Sequence, residues 1–286
     1  MIPLLGGRKL SRDGTLVMGI LNVTNDSFFK ESRVAGEREA VVRAVSMAKK
    51  GADIIDIGAE STRPGSRGVS EETERDALLP VVRSIRRELP DMPISVDTRK
   101  AAVAEAAIEA GADMINDVSG LELPEESDGM VSVTARSGAA YVLTHTKGTP
   151  DVMQEDPRYD DLMSEMRDFF REKIAVLESS GVSRNSLIID PGIGFGKNVS
   201  DNLTILANLE KFSAFGPPVL IGASRKGFIG SVAGSGARGN PSRRLDGTLA
   251  ITALCTLSGV RIVRVHDVAA NRRTVDMVTE ILKYKL

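Results

Sequence analysis

Residues 187–196 read LIIDPGIGFG, a stretch with two contrasting parts. The first part is a continuous apolar run, which is typical of a parallel strand covered on both faces. The second part begins at Asp190 and alternates glycines with Ile193 and Phe195, which predicts a tight turn. A carboxylate therefore stands at the end of a strand whose neighbours predict burial, and a buried carboxylate requires a partner or a ligand.

The same kind of apolar run recurs seven more times, with amphipathic helical patterns in between. The predicted strands span residues 16–23, 53–58, 94–97, 114–118, 139–144, 187–190, 219–222 and 262–266. The predicted helices lie near residues 37–50, 71–89, 100–110, 125–137, 159–180, 201–211, 245–258 and 268–283. This order predicts an α/β fold, a (β/α)8 TIM barrel; an open doubly wound sheet is the competing arrangement. Because no linker separates two cores, residues 1–286 are predicted to form a single domain.

Composition narrows the class of protein. Lys and Arg number 37 against 39 Asp and Glu, which gives a formal net charge of −2 at pH 7 and no support for nucleic-acid or membrane-surface binding by bulk charge. No apolar run approaches the ~20 residues that span a bilayer, and no signal peptide is expected. The single cysteine, Cys255, excludes an internal disulfide and is expected in the core. We therefore expect a cytoplasmic protein with no nucleic-acid or membrane partner.

Polar side chains follow the C-terminal end of every predicted strand. In a (β/α)8 barrel these ends converge on the face that carries active sites. Helix capping explains some of these residues taken singly. It does not explain the four that lie within strands, which are Asp97, Asn116, Asp190 and Arg264.

Two interpretations of these four residues remain open. The simpler one is internal pairing, for example of Asp97 with Arg264, which would compensate the cost of burial. The other is a pocket in which carboxylates and Asn116 recognise a flat heterocycle with adjacent N–H donors, while arginine and histidine face an anion.

Seven segments, in this order and spacing, resemble the dihydropteroate synthase family over essentially the whole chain. They are GILNVT (19–24, with DSF at 26–28), DIGAESTRPG (56–65), SVDT (95–98), INDV (115–118), DPGIGFGK (190–197), SRKGF (224–228) and RVHD (264–267). The resemblance implies a transferase of folate biosynthesis that condenses (7,8-dihydropterin-6-yl)methyl diphosphate with 4-aminobenzoate. It also implies Mg²⁺ as cofactor, a homodimer built on helices late in the barrel, and a sulfonamide target.

The resemblance assigns the pterin end of the site first. It places the pterin on Asp190, Asp97 and Asn116, and it puts Lys226 at the carbonyl side of the ring. Arg264 is implied to lie against the ring and the leaving phosphate. It further implies that the leaving group departs ahead of attack, which gives a carbocation-like methylene and requires no general base.

The resemblance assigns the diphosphate and arylamine ends next. Asn22 and His266 match the pyrophosphate end, and Asn22 also matches the Mg²⁺ contact. Two loops close over the reacting carbon in the family, and the matching residues are Phe28 in the first and Thr62, Arg63 and Pro64 in the second. The 4-aminobenzoate pocket matches Ser224, Pro64 and Phe195. The residues implied to take part in the chemistry are Asn22, Arg63, Lys226, Arg264 and His266.

The chain departs from the family pattern in two places. Asn25 stands where a proline is usual, and Phe29 and Lys30 replace a Ser-Asp pair, so the first loop is expected to close differently. Residues 144–146 read THT in place of Met-His-Met, so Thr146 is expected to loosen the floor of the pterin pocket. His145 is expected to be structural.

Other functions are compatible with parts of this pattern. A pterin-binding methyltransferase that acts with a corrinoid protein would share the barrel and the carboxylates, but would not need SRKGF or the Arg-x-His pair. A catalytically silent paralogue would show losses among the charged residues, and none is visible. A phosphosugar barrel enzyme would not call for three separate ring-reading acids and amides. The arginines at 83, 86 and 87 are expected to form a solvated helix face.

Overall fold

The computed structural model describes residues 2–5, 8–10, 12–23, 30–60, 68–148, 157–232 and 239–285. Its large sheet comprises β3 (Leu16–Asn22), β4 (Ile54–Gly58), β5 (Ile94–Asp97), β6 (Met114–Asp117), β7 (Ala140–Thr144), β8 (Leu187–Asp190), β9 (Leu220–Ile221) and β10 (Ile262–Val265). The helices are α1 (Lys30–Lys49), α2 (Glu71–Glu88), α3 (Ala101–Glu109), α4 (Pro124–Ser137), α5 (Leu162–Ser179), α6 (Val199–Leu206), α7 (Gly227–Val232), α8 (Leu245–Leu257) and α9 (Val268–Leu282). At least one helix follows each strand of the sheet.

The strand order confirms the barrel. Adjacent strands run parallel in the order β8-β7-β6-β5-β4-β3-β10-β9. The two end strands meet through one bridge between Ile189 and Val219, where the Ile189 N–H also donates to the carbonyl oxygen of Pro218 at 3.0 Å. This contact closes the ring, and the open doubly wound sheet is therefore wrong.

Predicted and observed boundaries agree closely, and the differences have local causes. The helix predicted at 201–211 divides into α6 and a 3₁₀ turn at Leu209–Phe215. The start of α6 is fixed by a capping box, in which Asn198 and Asp201 exchange side-chain-to-backbone hydrogen bonds. The structure also adds α7, which the sequence analysis did not predict, and α1 begins at Lys30, before its predicted start.

A short antiparallel hairpin that was not predicted precedes the barrel. Its strands are β1 (Ile2–Pro3) and β2 (Lys9–Leu10). Ile2 and Leu10 belong to the same apolar cluster as Leu16, Met18 and Ile54, which point into the barrel. The hairpin therefore extends the apolar filling of the barrel at the end opposite the polar strand termini.

A second, larger core lies between the sheet and the surrounding helices, and it contains Cys255, as predicted. One expectation about the helix surfaces is wrong. Arg86 does not belong to a solvated face: its guanidinium pairs with the buried Asp113 at 2.5 Å and donates to the carbonyl oxygens of Pro90, Met92 and Gly111. None of the helices in the described ranges combines the length and apolar character needed to cross a bilayer.

Candidate active site

The inside of the barrel changes from apolar to polar within two residues. The lower layer is apolar and includes Ile54, Met114, Ile188, Leu220 and Ile262. Because residues two apart on a strand share a face, the next layer consists of the residues two positions farther along. These are Asp56, Asn116, Asp190, Gly222 and Arg264. The polar layer lies towards the C-terminal ends of the strands, where the sequence predicted the site.

Arg264 joins two carboxylates across the barrel. Its Nε donates to Asp56 at 2.6 Å, and its Nη2 donates to Asp97 at 2.5 Å. Asn116 donates to the same Asp56 oxygen at 3.3 Å. The pairing of Asp97 with Arg264, which is the simpler interpretation of these buried residues, is therefore present. This pairing does not exclude a pocket, because Asp97 lies opposite Asn116 in the strand register and so joins the layer that also contains Asp190.

Burial and charge set the protonation of this group. Burial raises the pKa of Asp97 to about 7, although Arg264 works in the opposite direction and Asp56 adds to the increase. Burial disfavours the charged form of Arg264, but Asp56 and Asp97 more than offset it and raise its pKa. At neutral pH the layer thus holds a permanent cation beside a carboxylate that a ligand can bias towards either protonation state.

Asp190 is held in place by the turn that follows it. Its Oδ1 accepts from the Gly192 N–H at 2.8 Å, while its Oδ2 lies 3.8 Å from the position that a Cβ on Gly222 would occupy. Burial raises the pKa of Asp190 to about 6, despite the opposing effects of the Gly192 hydrogen bond and Lys226. The carboxylate is therefore mostly ionised at physiological pH.

Lys226 lies over the ring of Phe195, with its Nζ 4.0 Å from the ring centroid. This distance is within the range of cation–π attraction. Burial and the nearby Arg264 lower the pKa of Lys226 to about 8, although Asp190 and Asp97 favour its charged form. The predicted residues Phe195 and Lys226 are thus brought together beside the polar layer.

Ser224 and His266 form a second pair at the edge of the site. The Ser224 Oγ lies 3.0 Å from His266 Nδ1 and accepts from the His266 backbone N–H at 3.1 Å. Arg225 lies between Ser224 and Lys226 in the sequence. It has a positive φ of 56°, and its side chain pairs with Asp267 through two hydrogen bonds. Ser224 and Lys226 therefore both face the site, while Arg225 braces the outside.

Asn22 ends β3, and its side chain is exposed. Its amide oxygen is a neutral, hard donor, which suits Mg²⁺ that keeps most of its waters. Within the described ranges, no group of three or more His, Cys, Asp or Glu side chains is placed to hold a metal. Asn22 is therefore compatible with a metal whose other ligands are water and substrate.

Several predicted residues lie outside the described ranges: Phe28, Thr62, Arg63 and Pro64, together with the departures Asn25 and Phe29. Thr146 is described and partly exposed, and its hydroxyl is 3.5 Å from the Gly148 carbonyl oxygen. Its effect on the pterin pocket stays a prediction.

Among the buried charged residues that sequence reasoning missed, two lie beside the predicted site residues. Asp56 was quoted only within a motif, yet it is fully buried and accepts from both Arg264 and Asn116. The signal was its place two residues after Ile54 in a strand. Lys197 is 2% exposed, and its Nζ lies 2.9 Å from His145 Nδ1. No periodic pattern marks its burial.

Comparison with known proteins gives a consistent result. The family model described as "Pterin binding enzyme" matches residues 18–266. The chain is 41% identical to the dihydropteroate synthase of Escherichia coli K12 over 279 residues, which cover 98% of this chain and 96% of that protein. It is 42% identical to the dihydropteroate synthase of Bacillus subtilis 168, covering 95% and 90% of the two chains.

Solved structures of similar proteins superpose along nearly the whole chain. Yersinia pestis dihydropteroate synthase, in complex with a sulfonamide drug, aligns with a TM-score of 0.89 and 38% identity and covers 100% of both chains. The Xanthomonas albilineans enzyme with 4-aminobenzoic acid aligns with a TM-score of 0.87, 38% identity and coverage of 99% and 100%. The same enzyme with 7,8-dihydropteroate aligns with a TM-score of 0.84, 36% identity and the same coverage.

Proposed function

The chain belongs to the dihydropteroate synthase family of pterin-binding enzymes, and we propose that it condenses (7,8-dihydropterin-6-yl)methyl diphosphate with 4-aminobenzoate. The products are 7,8-dihydropteroate and pyrophosphate, so the protein is a transferase of folate biosynthesis. The observation that carries the proposal is the buried set of Asp97, Asn116 and Asp190 in one layer with the cation Arg264.

The acceptors of this layer suit the pterin ring. A pterin presents an exocyclic amino group beside a ring N–H, and one carboxylate can accept from both. Asp190 retains acceptor capacity for this pair, because the Gly192 N–H occupies only one lone pair of Oδ1. Asp97 and Asn116 would complete the polar edge, and Lys226 would donate to the ring carbonyl.

The cationic side of the site suits the diphosphate. Arg264 stays charged at all relevant pH values, and the exposed His266 lies two residues farther along the same strand end. When bound, Mg²⁺ would supply positive charge to the departing pyrophosphate, and Asn22 would be its protein contact.

The reaction breaks the bond between the pterin methylene carbon and the diphosphate oxygen, whose electron pair leaves with pyrophosphate. The amine nitrogen of 4-aminobenzoate then bonds to the methylene carbon and loses a proton. Asp97 and Asp190 would stabilise positive charge that develops on the pterin, since both lie in the buried layer. No side chain is required as a general base for this weakly basic amine.

The arylamine would bind on the side of Phe195 and Ser224. The Phe195 ring offers an apolar wall for the aromatic ring of this substrate, and the Ser224 hydroxyl could donate to its carboxylate. Phe28, Thr62, Arg63 and Pro64 would enclose the reacting carbon, as the resemblance implies.

Pyrophosphate release is the direct test of this function. The purified protein is incubated with the pterin diphosphate and Mg²⁺, with and without 4-aminobenzoate, and dihydropteroate is measured as well. We expect release that depends on 4-aminobenzoate and matches product in a one-to-one ratio. Pterin binding without amine-dependent product would refute the proposal and favour the methyltransferase or the silent paralogue.

We further propose a homodimer through α8 and α9. These packed helices carry exposed apolar side chains, which a second copy could cover: Leu254, Leu257, Met277 and Ile281. Light scattering of the wild type and of Met277→Glu should give a dimer and a monomer, respectively. A monomeric wild type would refute this interface.

Cytoplasmic localisation stays a prediction, which cell fractionation tests.

A further inference from the structure

Lys197 is a buried lysine that ties two strand ends together. Its Nζ contacts three acceptors: His145 Nδ1 at 2.9 Å, the His145 carbonyl oxygen at 3.1 Å and the Phe195 carbonyl oxygen at 3.0 Å. His145 directly follows β7, and Phe195 belongs to the turn after β8. One side chain thus links the end of β7 to the turn that carries an expected substrate contact.

The chemistry of this link is unusual for a buried lysine. In the described part of the chain, no carboxylate forms an ion pair with Lys197, and all three of its partners are neutral acceptors. An ammonium has three N–H donors, which is the number needed here. Buried lysines without a paired charge are costly, so a stability role alone does not account for the choice of residue.

The turn that Lys197 contacts is held by close packing and by hydrogen bonds on several sides. Gly192 has a φ of +70°, and a Cβ there would overlap the His145 carbonyl oxygen. The Phe195 N–H donates to the Gly192 carbonyl oxygen at 3.0 Å, and the Gly194 N–H donates to Asn202 at 2.7 Å. The same turn holds Asp190 through the Gly192 N–H. Because Lys197 donates directly to the Phe195 carbonyl oxygen, loss of its side chain would change the position of Phe195 first.

We propose that Lys197 is a positioning residue that fixes the Phe195 ring for the arylamine substrate by linking the Phe195 carbonyl to His145. It acts through Phe195 and His145 and touches no substrate itself. This inference rests on the proposed function for the identity of the arylamine.

The charges around Lys197 agree with a role in the turn. Burial lowers the pKa of Lys197 to about 7, although Asp190 and Asp201 favour its charged form and Lys226 and Lys147 oppose it. Burial and Lys197 lower the pKa of His145 to about 2, so its ring is neutral, and Nδ1 accepts from Lys197 in the tautomer that carries the proton on Nε2. The ammonium form, with all three donors, therefore predominates below about pH 7, where the neutral acceptors of the turn take its three N–H groups.

Steady-state kinetics of Lys197→Met test the positioning role. Methionine keeps the length and removes the donors, and Lys211→Met makes the same change at an exposed lysine. We expect the KM for 4-aminobenzoate to rise about tenfold in Lys197→Met, the loss typical of one or two missing hydrogen bonds, with pterin affinity within about twofold. Lys211→Met should match the wild type. Equal changes for both substrates, or none, would overturn the proposal.

Two variants of His145 separate positioning from general damage. The side-chain oxygen of an asparagine can replace Nδ1 as the acceptor, so His145→Asn should keep the wild-type KM. A leucine offers no acceptor, so His145→Leu should raise the KM as Lys197→Met does. The same KM for both variants would contradict the proposed link.

Hydrogen exchange provides a readout that does not depend on the substrate. In ligand-free Lys197→Met, peptides covering residues 191–196 should exchange at least about tenfold faster than in the wild type, because the Phe195 carbonyl oxygen loses the donor that ties the turn to the end of β7. Exchange in α2 should not change. Unchanged exchange at 191–196 would refute the role of Lys197. Absence of turnover in the wild type, with faster exchange in the variant, would instead refute the proposed function alone.

Discussion

Replacing Asp97 by Asn should change how stability depends on pH. Asparagine is nearly isosteric, and its amide oxygen can still accept from Arg264, so the packing of the layer is retained. What disappears is a buried carboxyl whose pKa burial raises from 3.8 to about 7.

The sign follows from proton binding. Between pH 4 and 7 the folded protein keeps the Asp97 proton while the unfolded chain has released it, so wild-type stability from this group falls as pH rises. From pH 4.5 to 7 the difference in bound protons, which is incomplete at both ends of the interval, integrates to about 2.1 pH units, and at about 1.4 kcal/mol each these give about 3 kcal/mol. The Asn variant lacks this decline. Its stability relative to the wild type should therefore increase by about 3 kcal/mol over the same interval.

Urea unfolding followed by far-ultraviolet circular dichroism measures the effect. Circular dichroism is the suitable signal because the chain contains no Trp whose fluorescence could report unfolding. Asp128→Asn, an exposed change of the same type on α4, is the control and should follow the wild type. Parallel wild-type and Asp97→Asn curves between pH 4.5 and 7 would refute the reasoning. Despite its relative stability at pH 7, Asp97→Asn should bind pterin at least about tenfold more weakly, because a charged acceptor is lost.

Three further changes test other parts of the site. Asp190→Asn should weaken pterin binding about 100-fold by calorimetry without unfolding the barrel, and unchanged affinity would contradict the pterin assignment. Arg264→Ala should destabilise the fold by about 3–5 kcal/mol, because it leaves two buried carboxylates, and should weaken the diphosphate substrate more than a pterin without phosphates; equal loss for both ligands would contradict the anion role. Gly192→Ala should cost more than about 3 kcal/mol in thermal unfolding, because its Cβ meets a carbonyl oxygen. Gly181→Ala, with φ +94° and no neighbour within 4 Å, should cost about 1 kcal/mol, and equal costs would remove the steric argument.

The sequence predicted the barrel and most of the polar layer because both are written in local patterns. Apolar runs of strand length mark the eight strands, and Asp97, Asn116, Asp190 and Arg264 stand out as charged or amide residues inside them. The same logic extends to Asp56, which follows Ile54 by two residues and therefore shares its face.

Other features depend on contacts between distant segments. Arg86 looks like a solvated helix residue, and only the fold brings it to Asp113, which directly precedes β6. Lys197 is polar and follows a glycine turn, so nothing local predicts that it lies against His145. The hairpin β1–β2 has strands of two residues, which are too short for alternation to be seen.

The single bridge that closes the barrel, between Ile189 and Val219, is a weak point in the backbone beside the site. Pro218 has no N–H, so the pairing of β9 with β8 cannot continue as a ladder there. Asp190 is the last residue of β8, on one side of this bridge, and Lys226 follows β9, on the other side. A ligand that contacts both would act as a cross-link between strands that the backbone joins weakly. The bound state is then mechanically a more complete cylinder than the free one, and its stiffening should concentrate at Leu220 and Ile221.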